Sequence, residues 1–149
     1  MLILENGYLI NCLRINKKNI FGELSFSISN YGYIESISDP SYKGQILILT
    51  NSYIGNVGYI NQDIQSNKIY INTIISNNYS ISSNFRSNFK LFDFCKKKKI
   101  QILTNLNTRL LIYLIRNTGS QIGCTIITKN KKNIILYIRS LTLKKILYD

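Results

Sequence analysis

Residues 21–50 read FGELSFSISNYGYIESISDPSYKGQILILT, and they decide the layout of the chain because two strand patterns are joined through a turn. From Glu23 to Ile28 apolar and polar residues alternate with period two, which predicts a strand carrying Leu24, Phe26 and Ile28 on one face. QILILT, from Gln45 to Thr50, is a short apolar run bounded by turn residues, as expected of a buried strand. Between them stands Asp39-Pro40-Ser41-Tyr42, with the one proline of the chain. Asp first and Pro second predict a type I turn: the ring presets φ, and the carboxylate can bond backbone amides two residues on. Such a turn is rigid and exposes its third residue. The Ser41 hydroxyl, both donor and acceptor, then fits a contact residue and an ordinary surface serine equally.

Upstream, LILE and YLINCLR flank Asn6-Gly7 and predict a hairpin closed by a two-residue type I′ turn. Downstream, Gly55-Asn56-Val57-Gly58 lacks the Gly-Lys-Ser/Thr ending of a phosphate loop and the third glycine of a dinucleotide fingerprint. It reads as a turn that needs small residues for close backbone approach. KIYINTII, from Lys68 to Ile75, predicts another strand. The period then changes. Asn107 can cap a helix whose stripe is Leu110, Leu111, Leu114 and Ile115, with Gly119 where a left-handed terminal residue belongs. Asn88 to Lys99 predicts a second helix, ending in four lysines that complement the negative end of its dipole. IQILT and GCTIIT flank the Asn107 helix as strands, and Lys131 to Leu147 carries Ile134, Ile138 and Leu141 at helical spacing. Strands first, then strands mixed with helices, predict a layered α/β domain over residues 1–128. Lys129 to Asn133 is the one plausible boundary, so residues 129–149 are expected to form a connector helix.

With 149 residues the chain is one domain by length and can bury a core without staples. Alanine, histidine and tryptophan are absent, and isoleucine, asparagine, lysine, tyrosine and serine dominate, as a strongly AT-biased genome would produce. The same bias inflates lysine. A net charge of +12 therefore reads first as a solvated basic surface. A nucleic-acid-binding module built on Lys96 to Lys99 beside Phe92 and Phe94 is the competing class, and a decaying remnant without activity is the third. Cys12, Cys95 and Cys124 are odd in number and form no CxxC pair, so neither a disulfide framework nor a zinc site is expected. They read as reduced thiols in a cytoplasmic protein. MLILE is too short an apolar run for a signal peptide, and LLIYLI and IILYI fall far below the roughly 20 residues of a membrane span. Without histidine these residues contain no Ser-His or Cys-His nucleophile pair, and no catalytic or metal-ligating residue is assigned. Glu35 and Asp39 are the one close carboxylate pair, and a turn role suits them better than acid–base chemistry.

Taken in order, several segments resemble the N-terminal domain of the small subunit of glutamine-dependent carbamoyl-phosphate synthetase. They are LILENG from Leu2, the whole of Phe21 to Thr50, YIGNVG from Tyr53, ISSNFR from Ile81, NTR with its helix from Asn107, and GSQIGC from Gly119. The resemblance reaches to about Ile127. It implies a three-layer β/β/α swivelling domain, packed against a large ATP-grasp subunit and against a glutaminase domain. In that family the small subunit hydrolyses glutamine and passes ammonia to the large one, which makes carbamoyl phosphate for pyrimidine and arginine synthesis. The serine of the family's DPSY turn reaches the glutamine pocket, and the matching position is Ser41. By the same resemblance no cofactor binds this chain, ATP and Mg belong to the large subunit, and the connector leads towards a glutamine amidotransferase domain absent from these residues. That domain, with its Cys, His and Glu, is expected as a separate chain or as lost. The family's aspartate before Thr-Arg is Asn107 here, which keeps a cap but loses a charge.

Overall fold

A computed structural model describes residues 1–15, 19–29, 32–50, 53–66, 68–80, 83, 90–126, 136 and 140. Its strands are β1 (Leu2–Leu4), β2 (Leu9–Ile10), β3 (Leu13–Arg14), β4 (Phe21–Ser27), β5 (Ile46–Leu49), β6 (Tyr53–Ile54), β7 (Thr73–Ile75), β8 (Asn78–Tyr79), β9 (Gln101–Thr104) and β10 (Ile122–Thr125). Among the described residues the helices that join them are α1 (Tyr33–Ser38), α2 (Leu91–Lys97) and α3 (Thr108–Thr118). The main sheet has eight strands in the order β2-β1-β10-β4-β5-β7-β9-β3, while β6 and β8 pair separately. β4, β5, β7 and β9 run parallel, and the outer strands are antiparallel. β2 and β3 stand at opposite ends of that order, yet only Asn11 and Cys12 separate them. Three residue steps span roughly 10 Å at most, so the sheet has to curl until its two edges approach.

The curl makes the layers. β4 uses Phe21 to Glu23 to pair with β10 and Leu24 to Ser27 to pair with β5, passing from one part of the sheet to the other. One core lies between these parts: Leu2 and Leu4 of β1 meet Ile46 and Ile48 of β5, with Leu111, Ile112 and Ile115 of α3 closing the side. The other covers the opposite face, where α1 and α2 place Ile34, Ile37, Leu91 and Phe94 over Leu47, Leu49, Ile74 and Ile102. Every residue of β5 is buried, as the apolar run from Gln45 to Thr50 predicts for a strand covered on both sides. The α/β fold expected from the sequence is the one observed.

Several details differ from the sequence expectations. The hairpin loop has three residues, because the Leu4 amide donates to the Tyr8 carbonyl at 2.9 Å and the Gly7 amide to the Leu4 carbonyl at 3.0 Å. Gly7 alone takes positive φ, at 89°, the arrangement of a type I turn followed by a bulge rather than a type I′ turn. YLINCLR is two short strands, because its halves pair with β1 and β9 at opposite sheet edges. Ile28 lies beyond the end of β4 and is 66 % exposed. The strand expected over Lys68 to Ile75 is confined to Thr73–Ile75. On α3 the buried stripe is Leu111, Ile112 and Ile115, so the expected stripe is rotated and Leu110 faces solvent. α1 has no counterpart in the sequence reading, although Tyr33, Ile34 and Ile37 carry its spacing. The helix expected from Lys131 to Leu147 lies outside the described residues, apart from Leu136 and Ser140.

α2 ends in a Schellman motif: the Ile100 amide donates to the Cys95 carbonyl at 2.8 Å and the Lys99 amide to the Lys96 carbonyl at 3.2 Å. Its left-handed residue is Lys99, at φ 59°, where glycine is usual. Lys99→Gly is therefore expected to stabilise the fold by about 0.5–1 kcal/mol. Urea unfolding with an unchanged or lowered midpoint would show that the left-handed lysine costs nothing.

Candidate functional site: the Asp39–Gly44 turn and its surroundings

Asp39 to Gly44 carries α1 into β5. Pro40–Tyr42 form one 3₁₀ turn, closed by the Tyr42 amide to the Asp39 carbonyl at 3.3 Å and the Lys43 amide to the Pro40 carbonyl at 3.1 Å. The Asp39 carboxylate accepts from the Ser41 amide at 2.8 Å, as the Asp-Pro pairing predicts. That backbone bond, and then the Ser41 hydroxyl, hold the Asp39 carboxyl below its ordinary range. Its capping contribution is present at neutral pH and lost only as pH falls through this lowered pKa. Ser41 is exposed at the crest of the turn.

Two anchors fix this crest to the domain. Beyond it, the Gly44 amide donates to the Tyr70 carbonyl at 3.0 Å, and Asn72 Nδ2 donates to the Gly44 carbonyl at 3.2 Å. Before it, fully buried Ser38 donates through Oγ to the Ile34 carbonyl at 2.8 Å and accepts the Gln65 amide at 3.0 Å. Ser66 Oγ donates to the Ser38 carbonyl at 3.0 Å. The turn's first serine is thus a mooring post and its second is presented. A sequence pattern does not separate two serines three residues apart; the helical spacing of Ile34 and Ser38 was the one available signal.

The Gly55-Asn56-Val57-Gly58 loop is the turn the sequence predicts. Gly55 and Gly58 have φ of 98° and 71°, and the Gly58 amide donates to the Gly55 carbonyl at 2.9 Å. A Cβ on Gly55 would stand 2.3 Å from the Ser80 carbonyl oxygen, so the close approach is real. Tyr33 of α1 reaches across to donate its hydroxyl to the Gly58 carbonyl at 2.8 Å. Burial pushes the Tyr33 phenol up to about 12, so it remains a neutral donor throughout the physiological range.

A polar cleft of about 550 Å³ opens at the carboxyl ends of β5, β7 and β9. Thr50, Asn77 and Asn105 line it, together with Asn107, Thr108 and Arg109 at the start of α3. The Asn107 side chain caps α3 by accepting the Leu110 amide at 3.0 Å. Of the other sequence candidates, Glu35 lies exposed in the first turn of α1, where its charge suits the helix dipole. Asp39 is occupied by Ser41, so the two carboxylates have separate structural tasks. Lys96 to Lys99 are exposed, but Phe94 is buried and stacked on Tyr59 with centroids 4.1 Å apart, and Phe92 is half-buried. The lysines therefore have no Phe94 ring beside them for base stacking. Cys95 and Cys124 are buried, and burial raises the Cys95 thiol to about 12. Among the described residues no cluster suits a metal ion, and no helix is long and apolar enough to cross a membrane.

Residues 2–125 match the family model described as carbamoyl-phosphate synthase small chain, CPSase domain. A protein named carbamoyl phosphate synthase small chain from Buchnera aphidicola subsp. Acyrthosiphon pisum is 39% identical over 139 residues, covering 92% of this chain and 36% of the relative. The protein of that name from Vibrio vulnificus is 36% identical over 132 residues, covering 87% of this chain and 35% of the relative. The chain thus spans about a third of the length of these curated relatives.

Proposed function

We propose, from the premise that this chain belongs to the carbamoyl-phosphate synthase small-chain family, that it acts as an interface module of the synthase. In this role it docks on the large ATP-grasp chain and presents Ser41 to complete a glutamine site whose catalytic half is a glutaminase. The large chain supplies ATP and Mg, and the assembly makes carbamoyl phosphate from glutamine, bicarbonate and ATP in the cytoplasm. The observation that carries the reading is an exposed serine on a turn moored at both ends, within a domain matched over residues 2–125. A hydroxyl held in this way loses little entropy on meeting a ligand.

The 149 residues contain no histidine, so the isolated chain is expected to hydrolyse glutamine at background rate, while co-purifying with a large chain. Glutamine turnover above background, or failure to bind the large chain, would overturn this reading. In a complex supplied with the glutaminase, Ser41→Ala is expected to raise the glutamine KM about three- to tenfold, the loss of one hydrogen bond. Its Tm should change little, because the Ser41 amide still caps on Asp39 and the hydroxyl's own bond to that carboxylate is exposed. An unchanged KM removes Ser41 from the glutamine site.

A further inference from the structure

The polar cleft beside α3 holds donors that folding leaves unused. It opens beyond the carboxyl ends of the parallel strands β5, β7 and β9, where α/β sheets bind their ligands. The first residues of α3, an eleven-residue helix, form one side of it. Asn107 accepts the Leu110 amide with its side chain at 3.0 Å and the Leu111 amide with its carbonyl at 3.1 Å. The Thr108 and Arg109 amides meet no acceptor among the described residues. Two hydroxyls join them. Thr108 is only 4 % exposed and lines the cleft, yet its hydroxyl has no hydrogen-bond partner among the described residues. Thr50, which follows β5, lines the cleft too, and its Oγ1 is buried and equally unpartnered. Buried polar groups are nearly always bonded, so two exceptions on one cleft point to a partner from outside the chain.

The charge gives that partner its sign. Arg109 is the second residue of α3, where a cation opposes the helix dipole, and the first turn holds no acidic residue. No carboxylate lines the cleft among the described residues. An anion between the guanidinium and the helix amides would reverse the sign of both interactions and make the position favourable. The rim is set in advance: Asn105 takes a left-handed φ of 61°, and its amide donates to the Asn77 carbonyl at 2.8 Å, which ties the ends of β9 and β7 together.

We infer that this cleft binds a phosphate-type oxyanion, held by the Thr108 and Arg109 amides, the Arg109 guanidinium and the Thr50 and Thr108 hydroxyls. At about 550 Å³ it also has room for the polar body of a phosphate ester against Asn77 and Asn105. The site lies at the other end of β5 from Ser41 and does not depend on the interface reading.

Titration of the full 149-residue chain with inorganic phosphate at constant ionic strength, followed by amide chemical shifts, tests the assignment. Binding should saturate, with the largest shifts at the Thr108 and Arg109 amides. Arg109→Gln removes an exposed charge that opposes the dipole, so the fold should be kept while phosphate affinity falls at least about tenfold. Arg116→Gln, the same change at the other end of α3, should bind like wild type. A parallel titration with glycerol 3-phosphate distinguishes the sources: tighter binding of the ester assigns the site to a phosphorylated polyol, and tighter binding of inorganic phosphate assigns it to the free ion. Shifts that never saturate, or that centre on Lys96 to Lys99, overturn the inference. So does affinity within twofold of wild type in Arg109→Gln, or an equal loss in Arg116→Gln, which would indicate general charge.

Discussion

Gly55→Ala is expected to destabilise the fold by roughly 2–4 kcal/mol and to lower Tm by on the order of 10 °C. Two causes combine. At φ 98° an L residue is strained, and its Cβ would strike the backbone Ser80 oxygen, which lacks the freedom of a side-chain tip. Gly7→Ala separates them, because Gly7 has a similar φ of 89° with nothing within 4 Å of its Cβ position. That control should cost about 1–2 kcal/mol, the conformational share alone. Equal losses at both sites would mean that the 53–58 loop yields without resistance. The Tyr33 hydroxyl on Gly58 and the Ser80 amide on the Ile54 carbonyl at 2.7 Å argue that it is held.

The second large effect separates neighbouring leucines of α3. Leu111 is 1 % exposed within the core shared by β1, β5 and α3, so Leu111→Ala should cost about 2–5 kcal/mol in urea unfolding. Leu110→Ala, half exposed beside it, should change stability by less than about 0.5 kcal/mol. The two positions are distinguishable because Leu111 fills the core while Leu110 faces solvent. Similar losses from both would mean that α3 sits rotated towards the stripe its sequence alone suggests.

Local signals were legible wherever the chemistry is local. The Asp39 cap on Ser41, the Asn107 cap on α3 and the positive φ of Gly7 depend on residues within a few positions of one another, and short-range sterics determine them, whereas Gly119 ends α3 at φ 82° and ψ −172° rather than in the expected left-handed conformation. The covered character of β5 was equally plain in ILIL. Much of the functional surface was not legible at this level. Ser38 is buried by what approaches from residues 65 and 66, besides its bond back to Ile34, whereas nothing of the kind covers Ser41. Which side of α3 is buried depends on where β1 and β5 lie, and YLINCLR breaks in two because its halves find partners at opposite edges of a curled sheet.

By itself, then, the sequence determined the α/β pattern, the capped helix, the rigid turn at Pro40 and the lack of histidine in these 149 residues. Tertiary structure decided which serine is moored and which is presented, which leucine of α3 faces the core, and that α3 turns two arginines and a tyrosine to solvent. Turns and caps follow from contacts a few residues apart. Orientation against a sheet follows from burial between elements that can lie more than a hundred residues apart, as in Leu2 of β1 paired with Thr125 of β10.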